Sequence, residues 1–386
     1  MATDKQHKIP NAPNLRFSGF DGEWRETTIG EAFELYSGNT PSRLDKDNFV
    51  GDVIWITSGE LKEHYIGDTK EHISKSSVCD YHLRLLPVGT FVIAIYGLEA
   101  DGIRGTGSIT TKESTISQAC MAFTPKMDIS NEFLFSWYKK HGNIIGLKYA
   151  QGTKQQNISN DILEKFKIIY PDKNEQEKLT RFIELIDQRI TAQIGAIEKI
   201  ESLISCLYDK LFQTETGETK PLKGICQIRK GKQVNSDQLS ERGEYYVMNG
   251  GITPSGYWDK FNAESGTISI SEGGNSCGYV QYNEYRFWSG GHCYTLHPDN
   301  KRILTKYLFH YLKYRQQDIM ALRTGSGLPN IQKKDLENYR ILITSFAKQM
   351  HISEILDSFY SKLDIERRLL EQYRLQKQYL LSQMFV

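Results

Sequence analysis

The sequence has little of what membrane-spanning, secreted or disulfide-stabilised proteins need. No run of apolar residues approaches the roughly 20 that would cross a bilayer. The polar start, residues 1–10, is followed by no apolar stretch, so we expect no secretory signal, no membrane partner and a cytoplasmic protein. The six cysteines include no Cys-x-x-Cys pair, which argues against a zinc site or disulfides and predicts reduced thiols in the core.

Motifs for catalysis are also missing from the 386 residues. The chain has no G-x-x-x-x-G-K-[ST] loop and no H-E-x-x-H, and the glycine-rich stretch Gly102–Gly107 lacks the lysine of a phosphate-binding loop. The Asn/Asp-Pro-Pro-aromatic tetrapeptide of adenine methyltransferases is absent as well. We therefore expect a chain that is not an enzyme and that holds no metal or cofactor of its own.

Two patterns resemble catalytic groups but have simpler explanations. Asp172, Glu175 and Glu177 resemble a nuclease carboxylate cluster, yet they stand at the start of a helical pattern, where the helix dipole favours acids. His292 and Cys293 are neighbours in a predicted strand, so their side chains point to opposite faces and do not easily act together. Neither pattern predicts a catalytic site.

The charge balance does not decide between function classes. The formal net charge is +1, with 48 Lys+Arg against 47 Asp+Glu. A DNA-binding protein of neutral total charge must gather its basic side chains on one face, and a sequence does not show such a face. The total charge therefore neither supports nor excludes nucleic-acid binding.

The most informative feature is an internal duplication. The pattern from Cys120 to Phe212 recurs from Cys293 to Phe385 at a constant offset of 173 residues, without a gap. Before Cys120 the offset changes, so the front halves of the two copies differ most. Two modules that recognise different DNA sequences need this arrangement, in which the scaffold is shared and the loops differ. The matched pairs include Pro125 and Pro298, Gly152 and Gly325, Asn157 and Asn330, Gln176 and Gln349, and Leu207 and Leu380.

Each copy ends in a long heptad pattern. Steps of four and three alternate between apolar residues, which indicates the a/d seam of a coiled coil. We expect two helices of about 37 residues, each roughly 55 Å long, that pair antiparallel because a whole module separates them in sequence. The seam positions are Leu179, Ile183, Ile186, Ile190, Gln193, Ile197, Ile200, Ile204, Leu207 and Leu211, then Ile352, Leu356, Phe359, Leu363, Glu366, Leu370, Tyr373, Lys377, Leu380 and Met384.

One seam position is polar in both copies. Gln193 and Glu366 occupy equivalent places near the midpoints of the two helices. If the helices pair antiparallel, these side chains should meet, and a buried polar pair fixes helix–helix register at some cost in stability. The alternative is that both side chains point outward where the seam loosens.

The modules consist of short strands and helices. Strand patterns occur at Val53–Ile56, Gly89–Gly97 and Ile168–Tyr170 and a helical pattern at Asn131–Asn143, with counterparts at Gly266–Ile270, Arg340–Ile343 and Leu304–Leu312. They predict an α+β protein in which two long antiparallel coiled-coil helices separate two globular α/β modules, with a pseudo-twofold repeat. The expected domains are a tail (1–19), module 1 (20–172), a central helix (173–213), module 2 (214–344) and a C-terminal helix (345–386).

Loops rich in Gly, Asn, Ser and Gln supply the candidate DNA contacts. Asn and Gln can bond an adenine edge at two points, Arg and Lys a guanine edge, and glycine lets the backbone approach a phosphate. Ordinary turn chemistry is the alternative for each loop, above all for the matched loops that end at Asn157 and Asn330. The side chains that we expect to contact DNA are Ser58, Lys62, Arg104, Lys154, Asn249, Lys260, Asn275 and Arg323.

Several segments occur in an order that is typical of one family. They are Leu15–Phe20 and Gly22–Trp24 near the start, Trp55–Gly59 in module 1, and Asn249–Ile252, Pro254–Tyr257 and Gly273–Gly278 in module 2. With the Gly-x-x-x-x-Asn-Ile segments and the duplicated module–helix plan, the sequence resembles the specificity (S) subunit of type I restriction–modification systems over nearly its whole length.

The resemblance implies a DNA-recognition subunit without catalytic residues. Each module would be a target-recognition domain that reads one half of a split double-stranded DNA sequence. The paired helices would set the spacer and dock two methyltransferase (M) subunits, which bind S-adenosylmethionine and methylate adenine. In the full complex, restriction (R) subunits would add DNA translocation and cleavage that depend on ATP and Mg²⁺.

Two other classes of function compete with this one. The chain would be a nuclease if scattered acids such as Asp172 and Glu175 cut DNA with Mg²⁺, in which case alanine at either position should abolish cleavage. Alternatively, it would be a scaffold whose helices dock proteins while the modules bind other ligands, and it would then show no DNA preference.

Overall fold

The computed structural model describes residues 11–100, 102–152, 156–213, 215–325, 327 and 329–386. The chain forms two compact units, Met1–Gln193 with Leu369–Val386, and Ile194–Arg368. Each unit holds one α/β module and part of both long helices, so the predicted α+β class with an internal repeat is confirmed. The predicted domain boundaries stay predictions. None of the helices in the described ranges combines the length and apolar character of a membrane span.

Module 1 lies in the first unit. Its strands are β1 (Arg25–Thr28), β2 (Phe33–Ser37), β3 (Val53–Ile56), β4 (Tyr65–Ile66), β5 (His72–Ile73), β6 (Phe91–Ala94), β7 (Gly107–Thr110), β8 (Ser114–Ile116), β9 (Cys120–Pro125) and β10 (Lys167–Tyr170). Its helices are α1 (Ile29–Ala32), α2 (Lys75–Asp80), α3 (Asn131–Tyr149) and α4 (Asn160–Glu164), and the first long helix, α5 (Lys173–Phe212), follows.

Module 2 lies in the second unit. Its strands are β11 (Glu218–Pro221), β12 (Cys226–Lys230), β13 (Tyr245–Met248), β14 (Gly256–Trp258), β15 (Thr267–Ser271), β16 (Val280–Asn283), β17 (Phe287–Ser289), β18 (Cys293–Pro298) and β19 (Arg340–Ile343). Its helices are α6 (Thr305–Tyr314), α7 (Gln316–Ala321) and α8 (Lys333–Asn338), and the second long helix, α9 (Phe346–Met384), follows.

The two modules share one sheet plan. The main sheet has the order β2-β9-β6-β7-β4 in module 1 and β12-β18-β15-β16 in module 2. A three-stranded sheet accompanies each, in the orders β5-β3-β8 and β14-β13-β17, and a two-stranded ladder closes each module, β1-β10 and β11-β19. The central strands β6 and β15 are wholly buried. In the part of the chain that the structure describes, β4 is the strand of the main sheet that has no counterpart in module 2.

The predicted elements of the modules are present, with shifted ends. The strand predicted at Gly89–Gly97 is shorter because Gly89 and Gly97 adopt left-handed backbone angles, φ 83° and 74°, that an extended strand cannot contain. The helix predicted at Asn131–Asn143 runs on to Tyr149. Its N-cap is Ser130, whose hydroxyl accepts a hydrogen bond from the Phe133 N–H at 3.1 Å.

The sequence predicted a repeat without gaps, but the structure shows one gap. The buried Gln176 accepts a hydrogen bond from Ser130 N (3.0 Å), and its counterpart Gln349 accepts one from Leu304 N (2.8 Å). Ser130 therefore corresponds to Leu304, one residue later than the offset of Cys120 and Cys293. The loop between strand and helix is one residue longer in module 2, so the helices match at an offset of 174.

The two long helices are 40 and 39 residues long, close to the predicted length. All twenty predicted seam positions are buried or half-buried. The contacts between the helices run in opposite directions along the chain, which confirms the antiparallel pairing within each unit. They join Asp187 to Lys377 (2.5 Å) and Arg189 to the Tyr373 ring (4.8 Å) in the first unit, and Glu201 to Arg367 (2.5 Å) and Tyr208 to Tyr360 (2.9 Å) in the second.

The polar seam residues Gln193 and Glu366 belong to different units. Both side chains are half-buried. That they meet and fix the register of the helices stays a prediction.

The segment before module 1 is tied to the long helices. Arg16 forms a two-point ion pair with Glu175, at 2.7 and 2.8 Å, and Phe17 packs edge-on against Phe182 at 5.5 Å. The Leu15 N–H donates to the Gln383 carbonyl of α9 at 3.0 Å. Glu175 stands in the first turn of α5 as expected, but its carboxylate is almost wholly buried and neutralises Arg16, so the helix dipole alone does not account for it.

Candidate functional site

The glycine-rich loops of module 2 come together beside the ends of β13, β15 and β18. Glu272 links them through its backbone, because its N–H donates to His292 O (2.9 Å) and its carbonyl accepts from Ile331 N (2.8 Å). The Ser271 hydroxyl donates to Gly250 O at 2.6 Å. We call this group, Met248–Gly251, Glu272–Asn275 and Gly290–His292, the loop cluster of module 2.

A half-buried carboxylate anchors the loop cluster to the main sheet. Glu272 Oε1 forms an ion pair with Lys230 Nζ (2.6 Å) and accepts a hydrogen bond from the Tyr294 hydroxyl (3.0 Å). Burial and the Glu272 carboxylate raise the pKa of Tyr294 well above its ordinary value, so the hydroxyl remains a donor. These two contacts therefore hold the loops on the main sheet.

Three of the four module 2 candidates lie at or next to this cluster. The Asn249 side-chain oxygen accepts a hydrogen bond from His292 N (3.2 Å), and Asn275 is exposed in the neighbouring loop. Arg323 is exposed and close enough for its charge to act on the Cys277 thiol, whose pKa burial raises and Arg323 partly lowers. Lys260 instead follows β14, where its Nζ lies 5.2 Å from the Trp258 ring.

The module 1 candidates are less concentrated. Ser58 begins a single helical turn after β3, and Lys62 is exposed just beyond that turn. Arg104 does not extend into solvent: its Nη2 donates to Gln156 Oε1 at 2.7 Å, and its aliphatic part packs on Gly146 of α3. Lys154 lies outside the described residues. DNA contact by any of the eight candidates stays a prediction.

The matched loops close in the same way in both modules. Gln151 and Asn157 exchange two backbone hydrogen bonds, 2.8 and 2.9 Å long, and Thr324 and Asn330 exchange two of 2.8 and 3.0 Å. The next residue in each copy then bonds to the end of the central strand, Ile158 to Ile95 O (3.0 Å) and Ile331 to Glu272 O (2.8 Å). These contacts support the structural interpretation of the two loops.

The cysteines and acids form no site in the part of the chain that the structure describes. No group of three or more His, Cys, Asp or Glu side chains is placed there to hold a metal ion. Cys79 and Cys206 are exposed, so the expectation of core thiols is wrong for these two. Burial raises the pKa of the Cys293 thiol to about 11, while the neighbouring His292 side chain is 63% exposed. The two side chains thus do not form a nucleophile–base pair.

Comparison with known proteins gives the family. The model of the family described as type I restriction modification DNA specificity domain matches residues 21–202 and 214–373. A putative type I specificity subunit of Mycoplasma genitalium is 31% identical over 163 residues, which is 40% of this chain and 42% of the relative. The EcoR124I/EcoR124II specificity subunit of Escherichia coli is 24% identical over 186 residues, 47% of this chain and 45% of that one. The chain thus spans less than half the length of the curated relatives it matches.

Solved structures show the same fold. The crystal structure of the type I S subunit of M. genitalium covers 97% of this chain and 99% of its own length, with a TM-score of 0.67 and 21% identity. A structure from a study of complex assembly in the type I system covers 94% and 97%, with a TM-score of 0.58 and 16% identity. The two matched stretches follow the two modules and take up most of the chain. The resemblance to specificity subunits is therefore confirmed, and the chain belongs to the type I restriction–modification DNA specificity family.

Proposed function

We propose that this chain reads a bipartite DNA sequence, with one half recognised by each module. The observation that carries the proposal is the repeated scaffold with unequal front halves. Gln176 and Gln349 attach both modules to the long helices in the same way, whereas β4 of the main sheet in module 1 has no counterpart in the main sheet of module 2. A shared frame with different loops suits two different half-sites.

We further propose that the long helices dock two methyltransferase subunits, and that restriction subunits join the complex indirectly. Large apolar side chains stand exposed on both helices, which is typical of a protein interface. S-adenosylmethionine, ATP and Mg²⁺ would belong to those partners, and this chain would act in the cytoplasm as a non-catalytic subunit. The exposed side chains are Leu185 and Leu203 on α5, and Phe346, Met350, Ile365, Leu369, Leu375 and Tyr379 on α9.

The proposal is tested by DNA binding with and without the methyltransferase partner. The chain alone should bind duplex DNA weakly, and the complex should prefer one sequence. Because phosphate contacts release counterions, we expect affinity to fall by about a thousandfold between 50 and 200 mM salt if about six phosphates are contacted. A complex that binds all duplexes equally would refute sequence reading and favour a scaffold.

Gly290→Ala tests the loop cluster as part of the second reading surface. A Cβ at Gly290 would lie 2.5 Å from the Asn249 side-chain oxygen and 2.9 Å from Asn249 Cβ, so both the side chain and the backbone of Asn249 have to shift. We expect the affinity of the complex for its preferred duplex to fall about tenfold, the value of one good base contact, with a stability loss of about 1–3 kcal/mol that leaves the unit folded.

The matched control for this change is Gly224→Ala, in the same unit. A Cβ there would meet only Pro221 Cγ, at 4.0 Å. Both variants would be compared in titrations against the preferred duplex and against one with the second half altered. Equal affinities for Gly290→Ala and wild type would show that the position of Asn249 does not matter for DNA reading.

A further inference from the structure

His64 occupies the place where the front half of module 1 meets helix α3 and both long helices. It stands directly before β4, the strand without a counterpart in module 2. Its ring is stacked between Tyr65, at 4.1 Å and 5°, and Phe135 of α3, at 4.0 Å and 6°. Only 13% of the His64 side chain is exposed, so the imidazole lies mostly inside the protein, between these rings.

Charged groups from three other elements surround the ring. His64 Nε2 lies 2.9 Å from Glu132 Oε2 of α3, and Nδ1 lies 3.8 Å from Asp187 Oδ2 of α5. Asp187 Oδ1 is 2.5 Å from Lys377 Nζ of α9, and the Tyr65 hydroxyl donates to Glu132 Oε1 at 3.2 Å. A single chain of contacts thus runs from the front half of module 1 to both long helices of the first unit.

The surroundings favour the charged form of the imidazole. Burial alone would lower the pKa of His64, but Asp187 and Glu132 outweigh it and raise the pKa above the ordinary 6.5. Burial raises the pKa of Asp187, but its bonds to His64 and Lys377 bring the pKa below its usual value. Burial and, to a smaller extent, the Lys377 charge lower the pKa of the adjacent Lys139 to about 8, while Asp187 and Glu63 oppose this.

The second unit has different chemistry at the equivalent positions. With the helix offset of 174, Glu132 corresponds to Lys306, and with the offset of 173, Asp187 corresponds to Tyr360 and Lys377 to Ile204. Lys306 lies over the Tyr282 ring, 3.7 Å from its centroid, and pairs with Asp357 at 3.3 Å. A contact needed only by the common scaffold would be repeated, as Gln176 and Gln349 are. In module 2 a different histidine, the buried His310 of α6, lies 2.9 Å from Asp357 of α9 and 3.3 Å from the Tyr208 hydroxyl of α5. The contact of His64, which stands beside β4, therefore has no equivalent at the same positions of module 2.

We infer that His64 is a positioning residue that fixes module 1 on the long helices, so that the first half-site is read at one set spacing. The inference rests on the proposed reading of a bipartite sequence. Contacts to bases come from the loops, whereas His64 holds the orientation of the module that carries them. Weakening the contacts of His64 should therefore reduce the preference for one spacer length and leave the base preference within each half unchanged.

The test compares His64→Gln with His72→Gln in the full chain assembled with its methyltransferase partner. His72 is the matched control, because it also lies in the front half of module 1 and 2.9 Å from a carboxylate, Asp68, but that pair is open to solvent. The probes are duplexes with the methylated sequence found in cells, with the native spacer or one base pair more or less.

Wild type and His72→Gln should strongly prefer the native spacer. In His64→Gln the ratio of affinities for the native and the altered spacers should fall about tenfold, which is the effect expected from loss of a buried charge-assisted hydrogen bond. Discrimination against base changes within either half should remain. If His64→Gln keeps the full spacer preference, His64 only fills space.

A pH profile separates positioning from packing. A group whose pKa is raised by its partners contributes fully below its ordinary pKa, about 6.5, and loses that contribution as pH rises through the raised value. The spacer preference of wild type should therefore fall on the alkaline side of 6.5, and the profile of His64→Gln should lack this step. Lys139 also titrates in alkaline solution in both proteins, so the difference between the two profiles belongs to His64. Identical profiles would overturn the inference.

If His64→Gln fails to fold, Asp187→Asn provides a second test. It removes a charged partner of His64 and keeps the stacking of the His64 ring on Tyr65 and Phe135. It should relax the spacer preference to a similar degree, and an Asp187→Asn protein with wild-type preference would contradict the role of His64. The proposed function fails separately: a wild-type complex without any sequence preference would contradict both, whereas sequence preference with no effect of either variant would remove only the positioning role.

Discussion

Gln176→Glu should destabilise the first unit by more than about 4 kcal/mol, because it places a carboxylate against two carbonyl groups. The Gln176 side chain is buried, with Oε1 accepting from Ser130 N (3.0 Å) and Nε2 donating to Asp128 O (2.9 Å) and Pro171 O (3.0 Å). Glutamate has the same shape but no N–H donor, so both carbonyls lose their partner and a charge is buried. One side chain of each repeat thus joins module and long helix.

The duplication supplies an independent second case. Gln349 accepts from Leu304 N (2.8 Å) and donates to Thr344 O (2.8 Å), so Gln349→Glu should destabilise the second unit for the same reason. Gln372→Glu, on the exposed face of α9, is the control and should change stability by less than about 0.5 kcal/mol. Urea unfolding of the full chain measures all three. A loss below about 1 kcal/mol for Gln176→Glu would show that the amide does not hold module and helix together.

Replacing residues 20–172 by the corresponding segment of another specificity subunit should change one half of the recognised sequence and leave the other half intact. The fold favours such a graft, because the β1–β10 ladder pairs Arg25 with Tyr170 and brings the two junctions side by side. Each altered base pair typically costs about 1–3 kcal/mol. The original duplex should therefore lose more than about a hundredfold in affinity when several base pairs of one half no longer match.

The reciprocal graft, residues 214–344, is the control for this result. The β11–β19 ladder places its junctions in the same way, with Glu218 opposite Ile343. Competition binding against duplexes that combine old and new halves distinguishes the two grafts. If either graft alters both halves, or neither, the assignment of one half-site to each module is wrong.

Much of the fold follows from periodicity in the sequence. The alternating steps of four and three from Leu179 onward predict α5, because a buried stripe on a helix needs that spacing. Helix and strand patterns likewise locate α3, β3 and β19 within a few residues. The extra residue before Leu304 was not predictable from the positions matched between the two copies, because a loop accommodates one residue without altering the apolar pattern on either side.

The contacts that build the sites join residues far apart in sequence. The Arg16–Glu175 ion pair spans 159 positions, and no local pattern connects the two. The link between Lys230 and Glu272 in the loop cluster depends on which strands are neighbours, as does the insertion of His64 beside Asp187. Loop composition predicts DNA contacts for Asn249 and Asn275, which stay predictions, but it gave no sign that Arg104 packs on α3.

Mapping methylated adenines in a genome whose cells carry this chain and its methyltransferase partner tests the central claim most directly. The account predicts one motif made of two short specific halves separated by a spacer of fixed length and no sequence preference, lost when this chain is deleted. It also predicts that the graft of residues 20–172 changes the first half alone. A continuous motif, or methylation that is unaffected by the deletion, would contradict the account.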